Sequence, residues 1–213
     1  MTSKYAKFIN RNNGSTLVYY PVPKNANTSA KLFFAKHLKL DDKFIFLGDK
    51  KPEYLYEKDE FTKLNKENLI KLIPTKQKFA KVDADERCCI VREPIERFIS
   101  AYNNRIIYHK DKDFYNHSID EVIEKLENNR YDNSHFAPQY YFLGTDINYY
   151  TFVCNINNIN IFEKKINDFF ENNIRFPILQ TGGNTNKVTL SNIQKKKLKK
   201  IYEFDFDLIK NYI

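Results

Sequence analysis

Short apolar runs alternate along this chain with longer stretches in which apolar residues recur at helical spacing. Thr16–Tyr20 is β-branched and aromatic and predicts a strand ended by Pro21 and Pro23. From Thr28, the stripe Ala30, Leu32, Phe33, Phe34, Ala35 and Leu38 predicts a helix. Arg87–Val91 is continuously apolar after its arginine and predicts a fully buried strand. Pro94 then suits the first position of a helix that carries Ile95, Phe98, Ile99 and Tyr102 on one face. Two strand–turn–helix units of one design therefore follow each other. Ser118 with Glu121 three residues on predicts a capping box and a helix to Asn128. Asn148–Cys154 predicts a further strand, Phe162–Phe170 a helix, and Asn65–Leu72 a helix in the charged stretch between the two units. Leu190, Ile193, Leu198, Ile201 and Leu208 predict one closing helical face. No repeat or linker interrupts this order. The expectation is a single α/β domain over residues 1–213, with a central parallel sheet flanked by helices.

Composition narrows the classes. Forty-two per cent apolar residues excludes a disordered chain, and 213 residues bury a core without a metal or disulfide staple. Cys88 and Cys89 are adjacent, so on a strand they point to opposite faces and cannot clamp one ion. With Cys154 they are expected to be small buried hydrophobes in a reducing compartment. The formal net charge is +8, but the five lysines within Lys195–Lys200 account for most of it, and without them the remainder is +3. Nucleic acid is therefore not an expected partner. No run approaches the ~18 apolar residues of a membrane helix, and Met1–Arg11 has no apolar signal core. A soluble cytoplasmic protein is the expectation.

Candidate chemistry sits in the turns of the two strand–turn–helix units. Pro23-Lys24-Asn25-Ala26-Asn27-Thr28-Ser29 leads a strand into a helix start, whose free N–H groups suit an anion. Lys24 adds a point charge, and Thr28 and Ser29 add hydroxyl donors. The glycines of a Walker loop are absent. The alternative is a capped helix with a solvent lysine. In the second turn Arg92 stands just past a buried strand, where open α/β sheets hold ligands, and Ser100 lies two helical turns on. A guanidinium and a hydroxyl suit a phosphate monoester. The alternative is an ion pair of Arg92 with Glu93 or Glu96.

Together the two turns resemble the cofactor signatures of sulfotransferases that use 3′-phosphoadenosine-5′-phosphosulfate (PAPS), most closely the carbohydrate sulfotransferases of sulfotransferase family 2. Pro23–Ser29 is similar to that family's 5′-phosphosulfate loop. Val91-Arg92-Glu93-Pro94-Ile95-Glu96-Arg97-Phe98-Ile99-Ser100-Ala101-Tyr102 matches its 3′-phosphate motif at every fixed position. His135-Phe136-Ala137-Pro138-Gln139 and Ile201–Ile209 resemble two later segments, in the family's order. An acidic residue that usually precedes Asn in the family is replaced by Asn157 here.

The resemblance implies a P-loop-like sulfotransferase fold and transfer of a sulfuryl group from PAPS to a carbohydrate or glycoconjugate hydroxyl, leaving the product nucleotide PAP. Lys24, Asn25, Ala26, Asn27, Thr28 and Ser29 would hold the 5′ end, with Lys24 also catalytic, and Arg92 and Ser100 the 3′-phosphate. It implies no metal. His135 is the candidate base for the acceptor, or else a structural residue beside its cleft, with a carboxylate between Asp41 and Glu60 in reserve. His37, His109 and His117 are expected to be solvated, and Gln180–Asn186 to form a flexible turn, the alternative being a loop over the nucleotide that donates backbone N–H groups. Lacking the membrane anchor of Golgi members, a bacterial cytoplasmic enzyme is expected. The other readings are an ATP-dependent P-loop-like kinase and a polyanion- or nucleic-acid-binding protein.

Overall fold

In a computed structural model, residues 4–10, 12–38, 71–74, 79–112, 114, 116–128, 130–131, 133–179 and 188–213 are described. Five strands, β1 (Lys4–Ile9), β2 (Thr16–Tyr20), β3 (Lys71–Pro74), β4 (Glu86–Val91) and β5 (Phe152–Asn155), form one sheet of order β3-β1-β2-β4-β5. Its β2–β4 and β4–β5 pairs are parallel. The expected parallel sheet is thus half of the answer, because β1 runs antiparallel to both β2 and β3. The turn at Asn12–Ser15 makes this possible: Asn10 and Asn13 side chains accept from Asn12 and Ser15 N–H, folding β1 back on β2. The helix expected over Asn65–Leu72 lies outside the described residues except at Lys71 and Leu72, which belong to β3.

The strands alternate as a two-sided sheet requires. Leu17, Tyr19, Cys88 and Ile90 face α1 (Asn27–His37) and α5 (Ile159–Phe170), where they meet Phe33, Phe34, Phe162 and Ile166. Val18, Tyr20, Cys89 and Val91 face the other way, onto Ala137, Phe142 and Leu143 near α4 (Tyr140–Leu143), and onto Ile209 of α7 (Glu203–Ile209). Cys88 and Cys89 therefore point to opposite faces, and all three cysteines are free and buried. A third cluster joins α2 (Pro94–Tyr102), α3 (Ile119–Glu127) and α6 (Asn192–Ile201) through Phe98, Tyr102, Val122, Leu126 and Leu198.

Local signals place most boundaries. Ser118 and Glu121 form the expected capping box on α3, and Ser191 with Gln194 forms another on α6. Glu93 caps α2 by accepting from Glu96 N–H at 2.6 Å, with Pro94 at its first position. The strand expected from Asn148 begins only at Phe152. Asp146 caps a 3₁₀ turn at Ile147–Tyr149 by accepting from Asn148 N–H, which takes these residues out of the strand, and the Tyr149 hydroxyl bonds Val82 and Tyr20. The closing face breaks at Tyr202, whose hydroxyl donates to Phe136 O at 2.7 Å. Ile193, expected on that face, is exposed. Among the described residues no helix is long and apolar enough to cross a membrane.

His37 departs from its expected solvation. It is 6% exposed, stacked on Phe170 at 4.8 Å and edge-on to Phe33, with neither ring nitrogen partnered among the described residues. Burial pulls its pKa down to about 4. The folded chain thus takes up this proton only near pH 4, whereas an unfolded histidine takes it up near 6.5. Stability from this site is complete above about pH 6.5 and declines as pH falls toward 4. His37→Phe should therefore reduce the loss of urea stability between pH 7 and pH 5 by roughly 1–2 kcal/mol. An unchanged loss would show that His37 is not held neutral.

Candidate active site

Because β2 and β4 are parallel neighbours, the turns that follow them emerge side by side at the same edge of the sheet. Three side chains bind them together. The Asn25 amide donates to Ile90 O at 2.8 Å and to Gln139 Oε1 at 2.7 Å. Gln139 returns a bond from Nε2 to Arg92 O at 2.8 Å, while its Oε1 also accepts from Arg92 N. Arg97, 1% exposed, donates from Nε to Pro23 O at 2.9 Å and from Nη1 to Ala137 O at 2.8 Å. Beneath them the Asp205 carboxylate, fully buried, accepts from Gln139 N–H at 2.7 Å and Tyr140 N–H at 2.9 Å. Burial raises its pKa, and those two N–H groups oppose the rise.

The first turn has the shape of an anion cradle without its usual glycines. Lys24 and Ala26 take left-handed conformations, φ 71° and 54°, which non-glycine residues adopt only when their surroundings hold them there. Ala26 is the N-cap of α1, with no side-chain cap and no acidic residue in the first turn. The helix start is therefore left to an incoming acceptor. Asn25 is not part of that supply. Its backbone N–H donates to Val22 O and both amide hydrogens are engaged, so it holds the turn's shape. Thr28 is half-buried, and buried Ser29 accepts from Leu179 N–H at 3.2 Å, its own hydroxyl hydrogen left to donate. Asn27 Oδ1 is buried without a partner among the described residues.

Cations converge on this cradle. The Lys24 pKa is pulled down to about 8, first by burial and then by Arg105, Arg92 and Arg97, with no carboxylate of the described residues among its influences. Arg92 reaches Lys24 O at 3.4 Å and Glu96 at 3.7 Å, both long contacts, and its side chain keeps a quarter of its exposure. The ion pair weighed for Arg92 is thus present, but in a stretched form. Ser100 is half-buried on α2, and its hydroxyl bonds no described residue. No contact draws it to Arg92.

His135 enters from the segment before α4. Its pKa is pushed down to about 3 by burial, then by Arg105, Lys24 and Arg97, with Asp111 acting in the opposite direction. His135 and Lys24 therefore lie within each other's field. Arg105, on a π-helical stretch (Asn103–Tyr108) that continues α2, grips Asp111 through two bonds of 2.7 and 2.6 Å. Asn133 links Asp111 to His135.

Arg97 and Arg105 are site residues that sequence spacing did not single out. Arg97 lies inside the twelve-residue motif, and Gln139 and Asp205 lie inside the two later segments, so their signal was position within those stretches. Nothing local marks Arg105, Asp111 or Asn133. The carboxylates between Asp41 and Glu60 and the turn at Gln180–Asn186 lie outside the described residues. Among the described residues no cluster of His, Cys, Asp or Glu could hold a metal ion.

A model of the sulfotransferase family matches residues 8–210, nearly the whole chain. No curated protein and no solved structure matches it.

The Gln139 side chain is the tie between the two turns. Gln139→Ala leaves one hydrogen of the Asn25 amide and the Arg92 N–H and carbonyl without their partner, and urea unfolding should record a loss of about 2–4 kcal/mol. A loss under about 0.5 kcal/mol would mean the turns hold each other without it.

Proposed function

We propose, taking as premise that the chain belongs to the sulfotransferase family, that it transfers a sulfuryl group from PAPS to a carbohydrate hydroxyl in one P-loop-like domain. The observation that carries this reading is the Lys24 turn: an uncapped helix start and a desolvated ammonium in the field of Arg105, Arg92 and Arg97, with no carboxylate paired to Lys24 itself among the described residues. Such a place gains most from an anion that brings several charges. The carbohydrate acceptor rests on the resemblance of the motifs.

PAPS, when bound, supplies a sulfur–oxygen bond that breaks with its electron pair leaving on the phosphate oxygen, while the acceptor oxygen bonds to sulfur. The N–H groups that open α1, with Thr28 and Ser29, bind the 5′ end. Lys24 stabilises the charge that grows on the leaving oxygen, in a setting where burial strengthens the interaction. Arg92 exchanges its stretched contacts with Glu96 and Lys24 O for the 3′-phosphate, joined by Ser100. Asn25 and Arg97 keep the cradle in shape. His135, neutral across the physiological range, accepts the proton of the acceptor hydroxyl.

Calorimetric titration with PAP tests the donor site. Binding should be ~10–100-fold tighter than that of ADP, which lacks the 3′-phosphate, and Arg92→Ala should remove the difference. Equal affinity for the two nucleotides would sink the PAPS reading. Lys24→Ala should lower kcat/KM by ~10²–10³-fold. The pH profile has a stated sign. The free protein loses the Lys24 ammonium as pH rises through about 8, so kcat/KM should fall above that value. His135 stays neutral down to about 3, so no acid limb should arise near 6.5. An acid limb there that vanished in His135→Gln would contradict the depressed imidazole.

A further inference from the structure

A proton acceptor needs more than a suitable pKa. It must present a lone pair on the nitrogen that faces the acceptor, and an imidazole has two tautomers to choose from. Around His135 that choice follows from the hydrogen-bond partners. The backbone N–H of His135 donates to Asn133 Oδ1 at 3.0 Å, and a backbone N–H can only donate, so the atom it meets is the amide oxygen. The other end of the same amide, Nδ2, stands 2.9 Å from Asp111 Oδ2, an acceptor. Both ends of Asn133 thus require one orientation of its side chain.

His135 Nδ1 lies 2.8 Å from that same Oδ1. An amide oxygen has no proton to give, so Nδ1 must carry the hydrogen and Nε2 keeps its lone pair. Among the described residues Nε2 makes no hydrogen bond of its own. Asp111 is in turn gripped by Arg105 Nε at 2.7 Å and Nη2 at 2.6 Å, and its backbone N–H donates to Arg105 O at 2.9 Å. The π-helical stretch that carries Arg105 thereby sets the carboxylate beneath Asn133.

We infer that Asn133, backed by Asp111 and Arg105, is a positioning residue that fixes His135 with its proton on Nδ1 and its lone pair on Nε2. The inference rests on the reading of His135 as the base for the acceptor. During transfer the hydroxyl proton moves onto Nε2, and the imidazolium that forms donates from Nδ1 to Asn133. Asp111, one amide further on, is the carboxylate that stabilises this charge against the field of Arg105, Lys24 and Arg97. Afterwards Nε2 returns the proton to water. A polarised amide in the middle conveys the carboxylate's influence while keeping its charge away from the sulfuryl site, where a direct carboxylate contact would offset Lys24.

Nitrogen-15 NMR of the labelled full chain tests the tautomer without any turnover, the His135 ring being assigned by its loss in His135→Gln. The wild type should show a pyrrole-type Nδ1 and a pyridine-type Nε2. Asn133→Ala should lose that pattern, and Asn133→Asp, which still offers an acceptor oxygen, should keep it. Sulfate transfer from PAPS to a panel of saccharides gives the second readout. Asn133→Ala should lower kcat by ~10–100-fold with PAP affinity within about twofold of wild type, and Asp111→Asn should lower kcat while the tautomer stays. A protonated Nε2 in the wild type, or an Asn133→Ala protein with tautomer and kcat unchanged, overturns the inference while sulfate transfer stands. The expected tautomer in a chain that transfers no sulfate to any saccharide overturns the role given to His135 and leaves the lock.

Discussion

A guanidinium with 1% exposure is the constraint on which the candidate site depends. Arg97 sits on α2, one turn after the Arg92 turn, and spends its donors on the carbonyls of Pro23 and Ala137. Burying such a charge is unfavourable unless its donors are met; Nε and Nη1 are met here, Nη2 has no partner among the described residues, and burial depresses the pKa against the pull of Tyr202 and Asp205. The arrangement is therefore intolerant of slack. The Lys24 turn, the Arg92 helix and the His135 segment must all converge on one side chain. Gln139 and Asn25 then tie the same three segments a second time with uncharged groups. Left-handed backbone at Lys24 and Ala26 survives without glycine because the residues on either side are held this firmly.

The same convergence concentrates positive charge. Lys24 and His135 are both pulled toward their neutral forms by burial and by Arg105 and Arg97. One field therefore serves two ends. It favours an anion at the cradle, and it holds the imidazole in its neutral form. In the proposed function, a polyanionic nucleotide in the cradle would relax that field and make an imidazolium less unfavourable to form. On the proposed reading, base strength at His135 would be coupled to donor binding through electrostatics, with no moving part needed. Asp111 adds an opposing carboxylate, at a distance of two hydrogen bonds.

Much of the frame was legible in the chain. Period and propensity marked β2, β4, α1, α2 and α3, and the Ser118–Glu121 box set a helix start to the residue. Local rules missed what neighbours decide. Lys4–Ile9 reads as charges mixed with apolar residues, and becomes a strand because β2 and β3 offer it ladders on both sides. His37 looks like a helix surface residue, yet Phe170 from α5 closes over it. Tyr202 interrupts a continuous helical pattern because its hydroxyl is claimed by Phe136 O, 66 residues earlier.

The sequence by itself determined the two strand–turn–helix units, the cationic residues at their turns and, through their motifs, the family. Those features are local: a strand, a tight turn and a helix start are set by a dozen contiguous residues. Only the tertiary structure decided which groups act together. The parallel pairing of β2 and β4 put two turns 68 residues apart into contact at Arg92 and Lys24. It also separated Asn25, whose donors are consumed inside the protein, from Lys24 beside it, whose charge meets no carboxylate among the described residues. The Arg105–Asp111–Asn133–His135 chain exists for the same reason. Hydrogen bonds are fixed by direction and distance in space, and linear spacing carries no record of either.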